Sequence, residues 1–349
     1  MPRHARLPAL QSPPPTSTGP RRLCVEPLED RRLLAVLTVN SLADDTVAGN
    51  GLVTLREAVT SANDDAATDL GQTGLGADQI VFHPDLFTAG PQTATLTSGA
   101  VTIASDLEIL GPGASLLSIS GNDASRIFTI DDGDGGQTNA AVRLADLTLT
   151  GGLASGADDA GRGGAVFSVE SLTVERVVIQ DNVAGNDGGG LLASVADGGQ
   201  IVIRDSTITG NLSAAGSGGG LSIQVLYGGY ASLANLVVDD NDANVAGGGV
   251  ALGAAYYGAV YLSDSLVTSN TAEFGGGVLM DAIEEGAIVV ERTTITGNAS
   301  LGDEESYDLL GGGLSVFTSY LGTATLFQST ISGNAGGGIA GVSGYGGTL

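Results

Sequence analysis

The sequence contains no lysine and no tryptophan, and its single cysteine is Cys24. One cysteine cannot form a disulfide within the chain. No run of 18 apolar residues occurs, so no segment could cross a membrane as a helix. His83 is the only histidine outside the N-terminal tail, which leaves a histidine-based metal site and a Ser–His triad unsupported.

Positive charge is scarce as well, because 13 arginines stand against 39 acidic residues and the formal net charge is −26. The exception is the start of the chain, where residues 1–35 hold six arginines and three acids. An acidic body repels phosphate backbones and anionic lipid, so nucleic acid is excluded as a partner. The basic, proline-rich start predicts a disordered leader over residues 1–37.

Glycine is abundant, with 56 residues, and a short phrase recurs along the chain. DSTITGN (Asp205–Asn211) returns in altered form every 28–30 residues, with one longer step of 36. Aliphatic residues stand three, eight and ten positions before the last residue of the phrase, and this alternation predicts strands. The last residues form one column: Asn122, Gly152, Asn182, Asn211, Asn241, Asn270, Asn298 and Asn334.

These repeats predict an all-β fold, a right-handed parallel β-helix with three strands per coil of about 29 residues. We expect the solenoid over residues 93–349, truncated at its C-terminal end, where another strand would follow. Residues 38–92 are predicted to form an N-terminal cap with one short helix. The apolar spacing of VTLREAVTSAN (Val53–Asn63) is typical of an amphipathic helix, and Thr54 is its expected N-cap.

The asparagine column predicts structure rather than chemistry. Asparagine tolerates left-handed backbone, and stacked amides can hydrogen bond from coil to coil. We therefore predict a structural ladder of Asn122, Asn182, Asn211, Asn241, Asn270, Asn298 and Asn334, with sugar binding as the alternative. The glycine clusters after each anchor are interpreted as permissive backbone at a tight corner. Charged pairs at another corner, such as Glu175–Arg176, are interpreted as solvated surface pairs.

Most of the eight tyrosines gather at one turn, seven residues past each glycine cluster. Aromatic rings spaced by the coil rise could stack on the sugars of a long glycan. The alternative is packing between coils. The candidate ligand-binding residues are Tyr227, Tyr256, Tyr257 and Tyr320.

Two acidic segments are further candidates. Asp131, Asp132 and Asp134 resemble part of a Ca²⁺ loop, although the distal bidentate acid of such loops is missing, and a plain acidic turn is the favoured alternative. No other cofactor is predicted. The longer step of 36 residues contains an insertion, LGDEESYDLL (Leu301–Leu310), and insertions in regular solenoids often mark a functional face.

Catalysis is the alternative function. A polysaccharide lyase or glycoside hydrolase on this fold would need clustered acids and a basic residue. Arg204 is the only arginine within reach of the asparagine column on the middle coils, and Asp181, Asp239 and Asp240 are scattered over different coils. We therefore assign no catalytic residue.

Two motifs near the start of the chain resemble those of bacterial secreted proteins. VTLREAVTSAN resembles the CSLREA motif, which it matches at Leu55–Ala58, while Val53 and Thr54 replace the Cys and Ser of the motif. EPLEDRRLLA (Glu26–Ala35) is similar to the LEPRxLL-type segment of large bacterial surface proteins.

The repeats are similar to those of polymorphic outer-membrane proteins, which are built on GGAI and FxxN. Here GGGV (Gly275–Val278) and ITGN (Ile295–Asn298) stand in their places, and Ile or Val replaces the Phe. The resemblance implies a protein that is secreted or associated with the cell surface or outer membrane. It also implies a structural or adhesive role, with polysaccharide or other surface proteins as partners.

Overall fold

The computed structural model describes residues 34–135, 139–302 and 311–349. Residues 1–33 of the predicted leader and 303–310 of the insertion lie outside the described residues. The described chain winds into coils whose strands pair in parallel, which confirms the predicted right-handed parallel β-helix. No helix in this part of the chain is long and apolar enough to cross a membrane.

Each full coil visits four sheets in a fixed order. Sheet 1 contains Ala35–Val39, Asp78–Phe82, Leu107–Leu110, Ala141–Ala145, Ser171–Glu175, Gln200–Arg204, Tyr230–Ala234, Ala259–Ser263, Ala287–Glu291 and Thr323–Phe327. Sheet 2 contains Gln92–Thr95, Leu117–Ser120, Thr148–Thr150, Val178–Gln180, Thr207–Thr209, Val237–Asp239, Leu266–Thr268, Thr294–Thr296 and Thr330–Ser332.

Sheet 3 is short, and its strands are Leu153–Ala154, Val183–Ala184, Leu212–Ser213, Asp242–Ala246, Thr271–Phe274 and Ala299–Ser300. Sheet 4 contains Val101–Ile103, Phe128–Ile130, Val166–Ser168, Leu191–Val195, Leu221–Val225, Val250–Ala254, Val278–Ile283, Leu314–Ser319 and Ile339–Ser343. The three predicted strands per coil correspond to sheets 1, 2 and 4. Sheet 3 adds a fourth strand, which in four coils has two residues and no alternation that a sequence could reveal.

The interior of the coils is filled by columns of aliphatic side chains. Val174 of sheet 1 pairs with Leu144 on the coil before and with Ile203 on the coil after, and all three side chains are fully buried. Complete burial of one such side chain contributes about 1.5–3 kcal/mol. The repeated aliphatic positions therefore provide most of the driving force for stacking.

The predicted helix forms over Leu55–Asn63, and its start is fixed by a capping box. The Thr54 side chain accepts a hydrogen bond from the Glu57 amide, and the Glu57 carboxylate accepts one from the Thr54 amide. Its apolar face is buried against the first coils. Because Ala35–Val39 and Asp78–Phe82 pair in sheet 1, this sheet runs through the region predicted as a cap. Two 3₁₀ turns occur at Pro84–Phe87 and Asp158–Gly161.

A hydrogen-bonded asparagine ladder follows the corner after sheet 2. In each of its internal steps, the side-chain carbonyl of one asparagine accepts from both the backbone amide and the side-chain amide of the asparagine one coil earlier. Asn241 accepts from the Asn211 amide at 3.1 Å and from Asn211 Nδ2 at 2.9 Å. The ladder comprises Asn182, Asn211, Asn241, Asn270, Asn298 and Asn334.

Asn122 is a correction to the predicted ladder. It is exposed, its φ is +59°, and no described hydrogen bond joins its side chain to another coil. The ladder passes only between adjacent coils, and Gly152 has no amide side chain to continue it. It therefore ends at Asn182, whose carbonyl accepts from the Gly152 backbone amide at 2.8 Å.

Glu175 also differs from its interpretation as a solvated surface residue, since only 5% of it is exposed. Its carboxylate pairs with Arg143 at 2.8 Å, with Arg204 at 3.1 Å and with Arg176. Arg176 in turn makes a bidentate pair with Asp146. Three arginines from three coils thus converge on one buried carboxylate, and such a network resists disruption more than an isolated surface pair does.

Candidate functional site

The tyrosines lie at the corner where the chain passes from sheet 4 to sheet 1. One position of this corner repeats from coil to coil with a left-handed backbone, and its φ values lie between +45° and +50°. We call this column the tyrosine edge; its residues are Asp197, Tyr227, Tyr256, Glu284, Tyr320 and Tyr345. The edge therefore contains two of the four tyrosine candidates in adjacent coils, Tyr227 and Tyr256, and a third, Tyr320, two coils further on.

The next position of the corner is also left-handed. Gly198 and Gly228 occupy it in two coils, where glycine adopts this backbone without strain. Tyr257, Glu285 and Leu321 occupy it in the following three coils, with φ values of +67°, +66° and +66°. A side chain in this conformation costs about 1–2 kcal/mol. Strain that glycine would remove is retained here, as it often is at functional sites.

The rings of the tyrosine edge stack on one another along the solenoid. The centroids of Tyr227 and Tyr256 lie 4.7 Å apart with planes 5° from parallel, and those of Tyr320 and Tyr345 lie 5.0 Å apart at 3°. The rings of both pairs therefore pack against each other between neighbouring coils. Glu284 occupies the single coil between the two pairs. At its level, no ring of the described residues stacks on one face of Tyr256 and one face of Tyr320.

An open cleft of about 380 Å³ lies at this level. The hydroxyls of Tyr256 and Tyr257 donate hydrogen bonds to the carboxylates of Glu284 and Glu285, which raises the pKa of each hydroxyl. Both tyrosines are nevertheless exposed to solvent, and the exposed fraction of Tyr257 is 70%. The cleft is lined by Tyr256, Tyr257, Glu284, Glu285, Tyr320, Leu321 and Tyr345.

A second groove of about 170 Å³ lies on the outer face of sheet 4 beside the tyrosine edge. Gln224, Gly253 and Asp281 are register neighbours on three successive strands and line it. Burial raises the pKa of Asp281, and its buried Oδ1 has no hydrogen-bond partner among the described residues. Sequence reasoning did not single out Asp281, because only the pairing of strands shows that its neighbours are an amide and a glycine.

The acidic turn that contains Asp131, Asp132 and Asp134 lies at the same corner, between sheet 4 and sheet 1, on an earlier coil. The structure brings Glu170, from the next coil, to Asp131 and Asp132, so that one carboxylate oxygen of each lies within 4.8 Å of the others. Glu170 is buried, and its Oε2 accepts from the Ala140 amide at 2.9 Å. Oxygen ligands of this kind suit Ca²⁺, and Glu170 supplies an acid that the sequence motif lacks. Ca²⁺ at Asp131, Asp132 and Asp134 stays a prediction.

Glu170 yields a pH-dependent expectation. Burial, and then the nearby Asp132 and Asp134, raise the pKa of Glu170. An acid whose pKa is raised on folding destabilises the folded state progressively as pH rises from the unfolded pKa, about 4.3, through the folded value. In the presence of a chelator, Glu170→Gln should therefore increase the thermal midpoint at pH 7 and flatten its decline above pH 4. Calorimetric scans between pH 4 and 8 measure this.

The same scans with millimolar Ca²⁺ test the metal. Ca²⁺ should raise the midpoint of the wild-type protein and leave that of Glu170→Gln unchanged. An unchanged wild-type midpoint would remove the Ca²⁺ prediction. Identical pH profiles of the two proteins would show that Glu170 is not the titrating group.

The residues considered for catalysis do not converge. Arg204 lies in sheet 1, where it pairs with Glu175 and, at 4.0 Å, with Asp205. Asp239 ends a strand of sheet 2, and Asp181 and Asp240 lie at the next corner. Within the described residues, no ion pair joins Arg204 to any of these three acids.

Comparison with known proteins agrees with the architecture. Residues 163–348, just over half of the chain, match the family described as right handed beta helix region. The chain therefore belongs to the right-handed β-helix family. Searches among curated proteins and among solved structures returned no match. The family establishes the fold, and function has to be argued from the site.

Proposed function

We propose that this protein is a non-enzymatic, secreted or cell-surface scaffold that binds a glycan chain at its tyrosine edge. The observation that carries the proposal is the cleft at Glu284, where unstacked faces of Tyr256 and Tyr320 border the same space. The apolar face of a sugar ring packs on an aromatic ring, and sugar hydroxyls donate to carboxylates. The cleft offers both kinds of group.

Three further features support the proposal. The binding residues stand on a rigid frame of aliphatic columns and ladders, which holds exposed rings in place without ligand. The large negative charge favours solubility over binding to nucleic acid or anionic lipid. The resemblance of Leu55–Ala58 and Glu26–Ala35 to motifs of bacterial surface proteins favours export to the cell surface. A structural or adhesive role there, toward polysaccharide or other surface proteins, follows from this location.

The proposal predicts that the ring faces at Glu284 determine glycan affinity. Wild-type protein on a glycan array should bind a subset of chains, and Tyr256→Ala combined with Tyr320→Ala should weaken that binding roughly tenfold, because each ring contact contributes about 0.5–1.5 kcal/mol. Tyr230→Ala with Tyr261→Ala is the matched control. These rings, 5.5 Å apart on sheet 1, line no part of the cleft.

Equal affinity of wild type and the cleft variant would contradict the proposal, as would a wild-type protein that binds no glycan. Equal losses of affinity in both double variants would show that glycan binding does not depend on the cleft in particular. Folding of each variant is checked by its thermal midpoint, which should change little since all four rings are at least 37% exposed.

A polysaccharide lyase or glycoside hydrolase remains the alternative, and it rests on the fold. Arg204, the basic residue considered for it, is held by the buried Glu175. Turnover of an acidic polysaccharide that disappears in Arg204→Ala or Asp239→Asn would favour the enzyme over the scaffold.

A further inference from the structure

We infer that the ligand of the Glu284 cleft is a cationic glycan, a chain of amino sugars with protonated amines. This inference rests on the proposed glycan function and specifies the class of chain. It follows from the carboxylates of Val278–Gly286, which is the sheet 4 strand of one coil with the turn after it. It also follows from the tyrosine rings on the coils before and after.

Two carboxylates here each have one buried oxygen to which no described residue donates a hydrogen bond, Asp281 Oδ1 and Glu284 Oε2, although the Glu284 carboxylate as a whole accepts from the Tyr256 hydroxyl. Among the described residues, Asp78 has the only other carboxylate oxygen in this condition. A buried acceptor without a donor destabilises the protein, and an ionised one more so. Because these oxygens are buried, each carboxylate has to rotate toward the cleft to meet a ligand. A protonated amine would then supply both a hydrogen-bond donor and a counter-charge, whereas a neutral hydroxyl would supply the hydrogen bond alone.

The rings provide a second attraction for a cation. The face of an aromatic ring is electronegative and attracts an ammonium group, especially where water is partly excluded. Tyr256 and Tyr320 stand one coil below and one coil above Glu284, so their faces lie roughly two strand spacings, about 9.6 Å, apart. An ammonium group beside Glu284 would therefore lie between two aromatic faces and against a carboxylate.

The charge of the surroundings excludes other glycans as the preferred ligand. The cleft contains Glu284 and Glu285, and none of its lining residues is basic. The protein as a whole has a net charge of −26 and no lysine. An acidic polysaccharide would be repelled, and a neutral one would leave the carboxylates without a counter-charge.

The spacing of the two acids favours a chain over a single small cation. Asp281 faces outward three residues before Glu284, in the neighbouring groove with Gln224. The strand ends at Ile283, so the three residues from Asp281 to Glu284 span at most about 10 Å. A polymer that carries an amine on every sugar could place amines at both carboxylates, while the Gln224 amide is available to its hydroxyls.

Calorimetric titration with three oligomers of equal length tests the inference. The probes are a β-1,4-linked glucosamine hexamer, the N-acetylglucosamine hexamer, which has the same backbone without charge, and hexalysine, which has the charge without the sugar. The measurement is made at a pH where the amines are protonated. We expect the glucosamine hexamer to bind at least tenfold more tightly than either of the others.

Two variants then test which carboxylates bind the amines. Glu284→Gln and Asp281→Asn should each lower affinity for the glucosamine hexamer about tenfold, as expected for loss of a charged hydrogen bond. They should leave affinity for the N-acetylated hexamer nearly unchanged. Asp123→Asn is the control, because it removes the same charge from an exposed residue several coils away. Tyrosine fluorescence gives a second readout, since the chain has no tryptophan.

The outcomes separate the two proposals. Equal binding of the two sugar hexamers would overturn the cationic inference and leave glycan binding intact. Tight binding of hexalysine alone would show that the site binds a cation and not a glycan, which would contradict both proposals. Failure of all three probes would overturn the inference, while binding of another glycan on the array would still support the proposed function. An equal effect of Asp123→Asn would show that net charge, and not this coil, attracts the ligand.

Discussion

Replacement of Gly219 by alanine is expected to lower the free energy of unfolding by about 3 kcal/mol or more. A Cβ atom at this position would lie 2.4 Å from the carbonyl oxygen of Asp242 and 2.4 Å from that of Gly248. Both oxygens belong to backbone that is hydrogen bonded between coils, so neither can move without breaking the stack. Urea unfolding followed by circular dichroism measures the change.

Gly253→Ala is the matched control for Gly219→Ala. It also lies in the repeating coils, but the nearest atoms to its added Cβ are 3.7 and 3.8 Å away, at ordinary contact distance. This variant should differ from wild type by no more than about 0.5 kcal/mol. Similar losses in both variants would show that glycine itself, rather than the close approach at Gly219, matters at these positions.

Asn241→Ala is the second change with a large expected effect, a loss of about 3 kcal/mol. The variant leaves the amide of Asn211 without its acceptor and the carbonyl of Ile208 without the Nδ2 donor at 3.0 Å. Each buried polar group that loses its partner costs about 1–3 kcal/mol. Because coils contact only their neighbours, we expect the loss to appear first as local opening around this coil. Hydrogen exchange of the Asn211 and Asn270 amides measures it.

Asn122→Ala serves as the control for the ladder. Asn122 has the same place in the sequence repeat, yet it is exposed and outside the ladder. Its φ of +59° suits asparagine better than alanine, so its replacement should cost about 1 kcal/mol, well below the loss expected at Asn241. A loss at Asn122 equal to that at Asn241 would mean that the corner, and not the amide stack, stabilises the coils.

The sequence was sufficient to predict the solenoid because its strongest signal is periodic. Aliphatic columns such as Leu144, Val174 and Ile203 repeat at nearly constant spacing, and only a stacked parallel structure buries them all. The strands of sheet 3 escaped prediction because most contain two residues. Glycine clusters were interpreted as permissive backbone at a tight corner, whereas Gly219 shows that close approach between coils is an equally strong reason for glycine.

The tyrosine edge could be found by counting, since Tyr227, Tyr256 and Tyr320 share one position of the repeat. The acids that complete the candidate sites could not. Glu170 meets Asp131 only through the pairing of coils, and the buried oxygen of Glu284 is apparent only once the side chains are placed. Periodicity predicts which column a residue occupies, and the packing of each coil then determines whether its charge is solvated or buried, as Glu175 also demonstrates.

A crystal structure of the protein with the oligosaccharide that binds it most tightly tests the central claim directly. Our account predicts a sugar ring at the level of Glu284, in contact with the facing sides of Tyr256 and Tyr320, with an amine near a carboxylate of the same coil. A sugar bound on the outer face of sheet 1, at Tyr230 and Tyr261, or at any place away from the tyrosine edge, would contradict it.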